Sequence, residues 1–255
     1  MEPLLLNVAD LRYHVVTLGM DIYPPVEIPD ERTRLNMFYE EVRDRWGSLF
    51  DRLVASDTEF RISKSFRKLP EIAGPSYPQD TFVLTNRGPV YVFPLILPDP
   101  VGNTGLEKTY VEDFDRLRRL FFNVLSERAV MRIGLVRDLV FATGQTRCEE
   151  LITDQGSFAN ADLVGGQLLF KYRDAKYNHN IRVDPVSITK TTQLAVGTRV
   201  TEATEYGVRV CLDVNNSDTQ SPLEEPDIQG VLERATSLWP DELLEFIGEM
   251  SKRRQ

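Results

Sequence analysis

The side chains that most often carry catalysis or bind metals are scarce in this sequence. It contains two histidines, His14 and His179, and two cysteines, Cys148 and Cys211. A histidine-rich metal site within one chain is therefore excluded, and the cysteines lack the paired spacing of a zinc site. A GxSxG nucleophile elbow and the glycine-rich loops that hold nucleotide phosphates are also missing. We predict no metal and no cofactor, and we place His14 on a sheet face and His179 in a loop.

Oxygen-bearing side chains alternate in one short segment, at Asp213, Asn215, Ser217 and Asp218. This pattern is typical of the start of a calcium-binding loop, but the glycine and the bidentate glutamate that complete such a loop are missing. A turn at the end of a strand is the favoured interpretation. Carboxylates are abundant elsewhere, but the sequence pairs no two of them in space. Whether the protein is an enzyme is therefore left open, with no catalytic residue assigned.

Two basic segments are candidates for contact with nucleic acid. The first interleaves an aromatic ring with cations, as single-strand binders do, and consists of Lys64, Phe66, Arg67 and Lys68. The second is the cluster Arg116, Arg118 and Arg119. The formal net charge of −9 and the pI of about 4.9 oppose attraction to phosphate backbones. Binding of nucleic acid through these segments is thus a disfavoured alternative.

The clearest helix is predicted from Asp30 to Val54. Its apolar residues recur every three or four positions, at Leu35, Phe38, Val42, Trp46, Leu49 and Leu53. Asp30 is the predicted N-cap. Bulky aromatic residues beneath such a helix either fill the core or enclose a pocket, and the candidate pocket residues are Phe38, Trp46 and Phe50. Charged residues alternate on the outward side of the helix, as on a solvated face.

The rest of the first half predicts strands and a second helix. A strand is expected from Leu11 to Met20, another over residues 58–66, and a hairpin around Asn86-Arg87-Gly88. The stretch Pro98–Gly105 is predicted to be a loop. Thr109 and Glu112 match a capping box, which predicts that the second helix starts there.

The second half is rich in strand patterns. Strands are expected at residues 131–141, 168–172, 181–188, 194–201 and 208–214, with a turn at Tyr206-Gly207 and a weak helical segment near Cys148–Ile152. In the first of these, Ile133, Leu135, Leu139 and Phe141 share one face. A capping box at Ser221 and Glu224 predicts the closing helix, which Pro240 should kink or split.

The two halves repeat the same order of elements. The predicted opening strands and the predicted closing helices each recur after roughly 110 to 120 residues. We therefore predict an α+β fold of two similar β-α-β-β-β-α halves, with antiparallel sheets packed against helices as in helix-grip domains. The first half is assigned to residues 1–129 and the second to residues 130–255.

Three segments of the second half resemble a sporadically distributed bacterial family of unknown function. They are the strand Val130–Val140, the strand Gly207–Asn215 and the closing helix Asp227–Met250. The sequence departs from the family pattern at Val136, where arginine is usual, and at Asn215, where aspartate is usual. The resemblance implies a bacterial cytoplasmic protein, and it supplies no catalytic residues. The N-terminus also lacks a signal-peptide pattern and no window is apolar enough to span a membrane, so we expect a cytoplasmic location.

These patterns leave three functional hypotheses. The leading one is a non-enzymatic interaction or scaffold protein that binds another protein through its sheet surface or the cleft between its halves. The alternatives are a small-ligand-binding protein or enzyme with a pocket under the first long helix, and a protein that binds single-stranded nucleic acid through residues 64–68. The sequence does not fix the oligomeric state.

Overall fold

The computed structural model describes residues 6–46, 50, 52–63, 81–95, 103–143, 168–195 and 198–252. These residues form one antiparallel sheet of nine strands with four α-helices. The predicted α+β class, with an antiparallel sheet packed against helices, is confirmed. Within these ranges, no helix combines the length and the apolar character needed to cross a membrane.

The sheet has the strand order β2-β3-β4-β5-β1-β6-β9-β8-β7. The strands are β1 (Leu11–Tyr23), β2 (Arg52–Ala55), β3 (Phe60–Ser63), β4 (Thr81–Leu84), β5 (Pro89–Leu95), β6 (Ala129–Ala142), β7 (Leu168–Arg173), β8 (Tyr177–Ala195) and β9 (Thr198–Asn216). The helices are α1 (Ile28–Trp46), α2 (Asn103–Val124), α3 (Glu225–Ser237) and α4 (Asp241–Lys252), and a short 3-10 helix (Val8–Asp10) precedes β1.

The sheet continues across the predicted boundary between the halves. Strand β1 pairs with β6 along its whole length, from Leu11 opposite Phe141 to Tyr23 opposite Ala129. In the described ranges, β1 is followed by α1, four strands and α2, whereas β6 is followed by three strands, α3 and α4. The duplication and the division at residue 129 stay predictions. The predicted helical segment at Cys148–Ile152 lies outside the described residues.

Within the described ranges, the helices pack against one face of the sheet. Strand rings meet helix rings there in the pairs Phe82–Phe38, Tyr91–Phe114 and Phe170–Phe246, and Phe141 meets Trp239 of the turn between α3 and α4. Because side chains alternate along a strand, every second residue of β6 points to this face. Ile133, Leu135, Leu139 and Phe141 are all fully buried there, which confirms the predicted face. Burial of each such side chain contributes about 2 kcal/mol.

Helix α1 is shorter than the sequence predicts. It begins at Ile28, so Asp30 lies inside the first turn and is not the N-cap. It ends at Trp46, and Leu53 belongs to β2, where it pairs with Ile62 of β3. The spacing of Leu53 fits the helical stripe by coincidence. Hydrogen bonding to β3 decides the conformation of this segment, and the sequence does not reveal that pairing.

The two predicted capping boxes are wrong. Helix α2 begins at Asn103, so Thr109 and Glu112 are interior residues, and residues 103–105 of the predicted loop are helical, whereas its residues 98–102 lie outside the described residues. Helix α3 is capped by Glu224 and Asp227, one turn later than the predicted box at Ser221. Helix α2 starts with Asn103, Thr104 and Gly105, which are poor helix formers, so local propensity does not predict its early start. The split at Pro240 is confirmed, because α3 ends at Ser237 and α4 starts at Asp241.

Strands β8 and β9 form one long ribbon in place of the three strands predicted over residues 181–214. Their pairing runs from Tyr177 opposite Asn216 to Ala195 opposite Thr198. The predicted turn at Tyr206-Gly207 is wrong, because Gly207 pairs with Val186 inside the ladder. A glycine within a β-branched run can stay in a strand when both neighbouring strands hold it, and Gly207 also pairs with Ala142.

The hairpin between β4 and β5 matches its prediction. The amide of Thr85 donates to the carbonyl oxygen of Gly88 over 2.9 Å. Gly88 has a φ of 153°, and a Cβ atom there would lie 2.3 Å from the carbonyl oxygen of Met20. Both the backbone angle and the close approach to β1 therefore require glycine. This turn fixes the register of β4 and β5.

Candidate binding cleft

Of the three predicted pocket residues, Trp46 lines the cleft described below, and Phe38 and Phe50 are buried. Phe38 is fully buried, and its ring lies 5.2 Å from Phe82 and 5.6 Å from Phe121, measured between centroids. Phe50 is also fully buried. Trp46 is only partly buried and meets the Phe50 ring edge to face at 6.4 Å. Of the three residues, Trp46 therefore reaches the surface.

Trp46 lines an open cleft between the C-terminal end of α1 and the C-terminal half of α2. The cleft has a volume of about 380 Å³. We call it the arginine–tryptophan cleft, and its lining residues are Arg45, Trp46, Arg116, Arg119, Leu120 and Asn123. The fold thus joins two features that are separate in the sequence, namely the last aromatic residue of the first helix and the basic cluster of the second.

The three arginines of the cleft differ in how firmly they are paired. Arg119 donates from Nε to the carboxylate of Asp115 over 2.8 Å. Arg45 lies 3.5 Å from Glu41, at the outer limit of a hydrogen bond, and Arg116 lies 4.0 Å from Asp113, beyond it. Their side chains are 59%, 63% and 54% exposed for Arg45, Arg116 and Arg119. A guanidinium carries five donors, so Arg45 and Arg116 retain donors for a ligand.

Arg118 does not line the cleft but turns into the protein. Its side chain is 5% exposed, and it donates to Asp115 over 2.5 Å and to Glu225 of α3 over 2.8 Å. Arg119 also contacts Glu225, and the Gln229 amide donates to both carboxylates. These contacts connect α2 with α3. Within the basic cluster of the sequence, Arg118 thus has a structural role.

The carboxylates of this ion cluster stay charged. Burial on its own would raise the pKa of Asp115, but hydrogen bonds from Arg118 and Arg119 bring it below its ordinary value. The hydrogen bond from Arg118 is the main cause that lowers the pKa of Glu225. The hydrogen bond to Asp115 in turn raises the pKa of Arg119. Arg119 is therefore held in place at one wall of the cleft.

A second polar surface lies on the sheet face opposite the helices. There, Arg209 makes a two-pronged contact with Asp138 at 2.7 and 2.5 Å. Asp213 accepts hydrogen bonds from Asn180 over 3.2 Å and from Asn215 over 3.0 Å. Because these groups satisfy one another, they offer fewer free donors than the cleft. Among the described residues, no group of three histidine, cysteine or acidic side chains could hold a metal ion.

His14 lies on a sheet face, as predicted, and that face is the core. It is 2% exposed, and its ring lies 5.4 Å from Trp239. Burial, followed by the charge of Arg137, lowers the pKa of His14 to about 3. Arg137 is fully buried beside it and donates to the carbonyl oxygen of Ala235 over 3.0 Å, at the C-terminal end of α3. Negative potential at that helix end favours the cation.

The prediction that His179 lies in a loop is wrong, because His179 belongs to β8. It is 9% exposed and pairs with Tyr172 of β7 and Val214 of β9. Burial is the main cause that lowers its pKa, followed by the charge of Arg234. The surrounding asparagines suggest a loop from sequence alone, but two neighbouring strands supply backbone partners that hold the segment extended.

The candidate nucleic-acid residues Lys64, Phe66, Arg67 and Lys68 lie outside the described residues, so that hypothesis stays a prediction. Arg45 and Asn123 are cleft residues that sequence reasoning missed. Arg45 reads as part of a solvated helix face, and its position directly before Trp46 is the one pattern that could have singled it out.

Comparison with known proteins adds no relative. The chain matches no protein family model, no curated protein and no solved structure. The resemblance of the second half to a bacterial family of unknown function stays a prediction.

Proposed function

We propose that this protein is a non-enzymatic interaction protein that binds another protein at the arginine–tryptophan cleft. The observation that carries the proposal is the convergence of Trp46 with three exposed guanidinium groups around an open cleft. Tryptophan and arginine are the residue types that most often dominate the binding energy of protein interfaces. The apolar floor at Trp46 and Leu120 would be desolvated by a partner, and the arginines would form its polar rim.

A crosslinking experiment in the cells that naturally contain the protein tests this proposal. A photoreactive benzoylphenylalanine replaces Asn123, which lines the cleft, and in a control it replaces Arg43, which lies on α1 outside the lining. We expect a discrete adduct with another protein at position 123 that is absent at position 43. Identical adduct patterns at both positions, or none at 123, would refute the proposal.

A small anionic ligand at the same cleft is the second candidate. The arginines of the lining support it, because a guanidinium binds carboxylate and phosphate groups through paired hydrogen bonds. A small ligand predicts that inorganic phosphate or citrate raises the thermal unfolding midpoint, and that Arg116→Glu abolishes the increase. A midpoint that responds equally in the wild type and in Arg116→Glu would count against this candidate.

We infer further that the protein works in the cytoplasm of a bacterium. The family resemblance of the second half supports the source. The low cysteine content supports the compartment, since secreted domains more often rely on disulfides. Cys211 is a free thiol whose pKa is raised, mainly by burial, so it is not primed for reaction. Fractionation of cells with an antibody against the protein tests the location.

A further inference from the structure

We infer that the partner bound at the arginine–tryptophan cleft presents an acidic segment with an apolar residue among its carboxylates. The inference rests on the proposed function and specifies the chemistry of the partner. It follows from three properties of the cleft, namely its available hydrogen-bond donors, its arginine-rich lining on an acidic chain, and its apolar floor.

The available hydrogen-bond donors are guanidinium N–H groups of Arg45 and Arg116. Their nearest described carboxylates lie at 3.5 and 4.0 Å, whereas Arg119 is held at 2.8 Å by Asp115. A planar guanidinium binds a carboxylate through two parallel hydrogen bonds, which add strength and orientation. A partner carboxylate at Arg45 or Arg116 would gain such contacts without first breaking a tight ion pair.

The charge of the whole chain directs an acidic partner to this cleft. The protein carries a formal net charge of −9, so most of its surface repels an acidic segment. The lining of the cleft differs from the rest of the surface in composition, because it contains three arginines and no acidic residue, and the carboxylates of Glu41, Asp113 and Asp115 lie beside it. Such complementarity mainly raises the association rate and excludes wrong partners, and it weakens with salt.

The floor of the cleft adds an apolar requirement. Trp46 and Leu120 line the cleft together with the arginines, and Trp46 rests edge to face on the buried ring of Phe50. A rigid aromatic floor gains most when an apolar side chain excludes water from it. A segment with only carboxylate side chains would leave this surface hydrated. The favoured ligand therefore combines carboxylates with an apolar side chain.

Peptide binding tests the inference on the full chain. The probe is a short fluorescein-labelled peptide of glutamates around a central leucine, and its counterpart carries glutamine in place of every glutamate. At low salt, we expect fluorescence anisotropy to show binding of the acidic peptide and about tenfold weaker binding of the glutamine peptide. The double variant Arg45→Glu/Arg116→Glu should weaken acidic-peptide binding by at least about tenfold, and Arg43→Glu by less than about twofold.

Several results would overturn the inference. They are equal affinity for the two peptides, no binding of the acidic peptide, an equal effect of Arg43→Glu, and full displacement by phosphate at constant ionic strength, which would indicate a site for small anions. Crosslinking at position 123 does not depend on the charge of the partner. A specific adduct there, together with charge-independent peptide binding, would therefore leave the proposed function standing and remove only the acidic partner.

Discussion

Titration of the buried His14 should make the stability of this protein depend on pH between about pH 7.5 and pH 5, which lies above the ordinary pKa values of carboxylates. The folded state holds the pKa of His14 at about 3, whereas the unfolded chain has the ordinary value of 6.5. Because the pKa of His14 is lower in the folded state, His14 is protonated in the unfolded state and neutral in the folded state at pH values between the two. Stability is complete above pH 6.5 and falls as the pH decreases toward 3.

The size of the effect follows from these two pKa values. The free energy of unfolding should fall by about 1.4 kcal/mol for each pH unit inside the window, and by about 2 kcal/mol between about pH 7.5 and pH 5. Nε2 of His14 has no hydrogen-bond partner among the described residues, and the charge of Arg137 adds to the cost of protonation. Both facts favour the neutral ring.

Urea denaturation of the wild type and His14→Phe at several pH values measures the contribution of His14 titration to the free energy of unfolding. Phenylalanine keeps a ring beside Trp239 and removes the titrating group. The variant should lose about 2 kcal/mol less than the wild type between about pH 7.5 and pH 5. The pKa of His179 is also lowered, but its contribution is common to both proteins and cancels in the difference. Parallel pH profiles for the two proteins would refute the reasoning.

Three further predictions concern stability and are measured by chemical denaturation. Arg118→Met removes the buried one of the two arginines that pair with Asp115 and Glu225, and we expect a loss of about 1.5 to 3 kcal/mol, with an effect near zero contradicting a role for Arg118 in the ion cluster. Phe38→Ala should cost about 3 to 5 kcal/mol, whereas Met37→Ala, at a side chain that is 57% exposed, should cost less than about 0.5 kcal/mol. Gly88→Ala should cost about 1 to 3 kcal/mol, because of its positive φ and because the new Cβ atom would lie 2.3 Å from the carbonyl oxygen of Met20. The control Gly19→Ala should cost clearly less, because its Cβ atom would meet its nearest neighbour at 3.7 Å. Equal losses would contradict the requirement for glycine at position 88.

Features set by neighbours in the sequence were predictable. The alternation in β6, the glycine turn before β5 and the break at Pro240 each depend on a few adjacent residues, and the structure contains all three. The end of α1 and the unbroken course of β9 were not predictable in the same way. The first depends on the hairpin of β2 and β3, in which Leu53 happens to continue the apolar spacing of the helix, and the second depends on pairing with β6, which is distant in sequence.

For the candidate site, the sequence likewise predicted individual residues but not their arrangement. Trp46 was predicted as a pocket residue and Arg116 as a member of a basic cluster, but no pattern placed the two in one cleft. The sequence likewise could not separate Arg118, which is buried in an ion cluster, from Arg116, which is exposed. The two lie on different sides of one helix, and only the position of α3 decides which side is covered.

By itself, the sequence determined the α+β class, the strand alternation of the central sheet and the scarcity of metal-binding or catalytic side chains. These properties follow from composition and from spacing along the chain, which local sterics and hydrophobic burial translate directly into strands and helices. The tertiary structure alone decided that Arg137 is buried, that Phe38 fills the core, and that Trp46 faces arginines of another helix. These outcomes depend on which elements pack together, since burial and electrostatic environment belong to the assembled layers and not to any one segment.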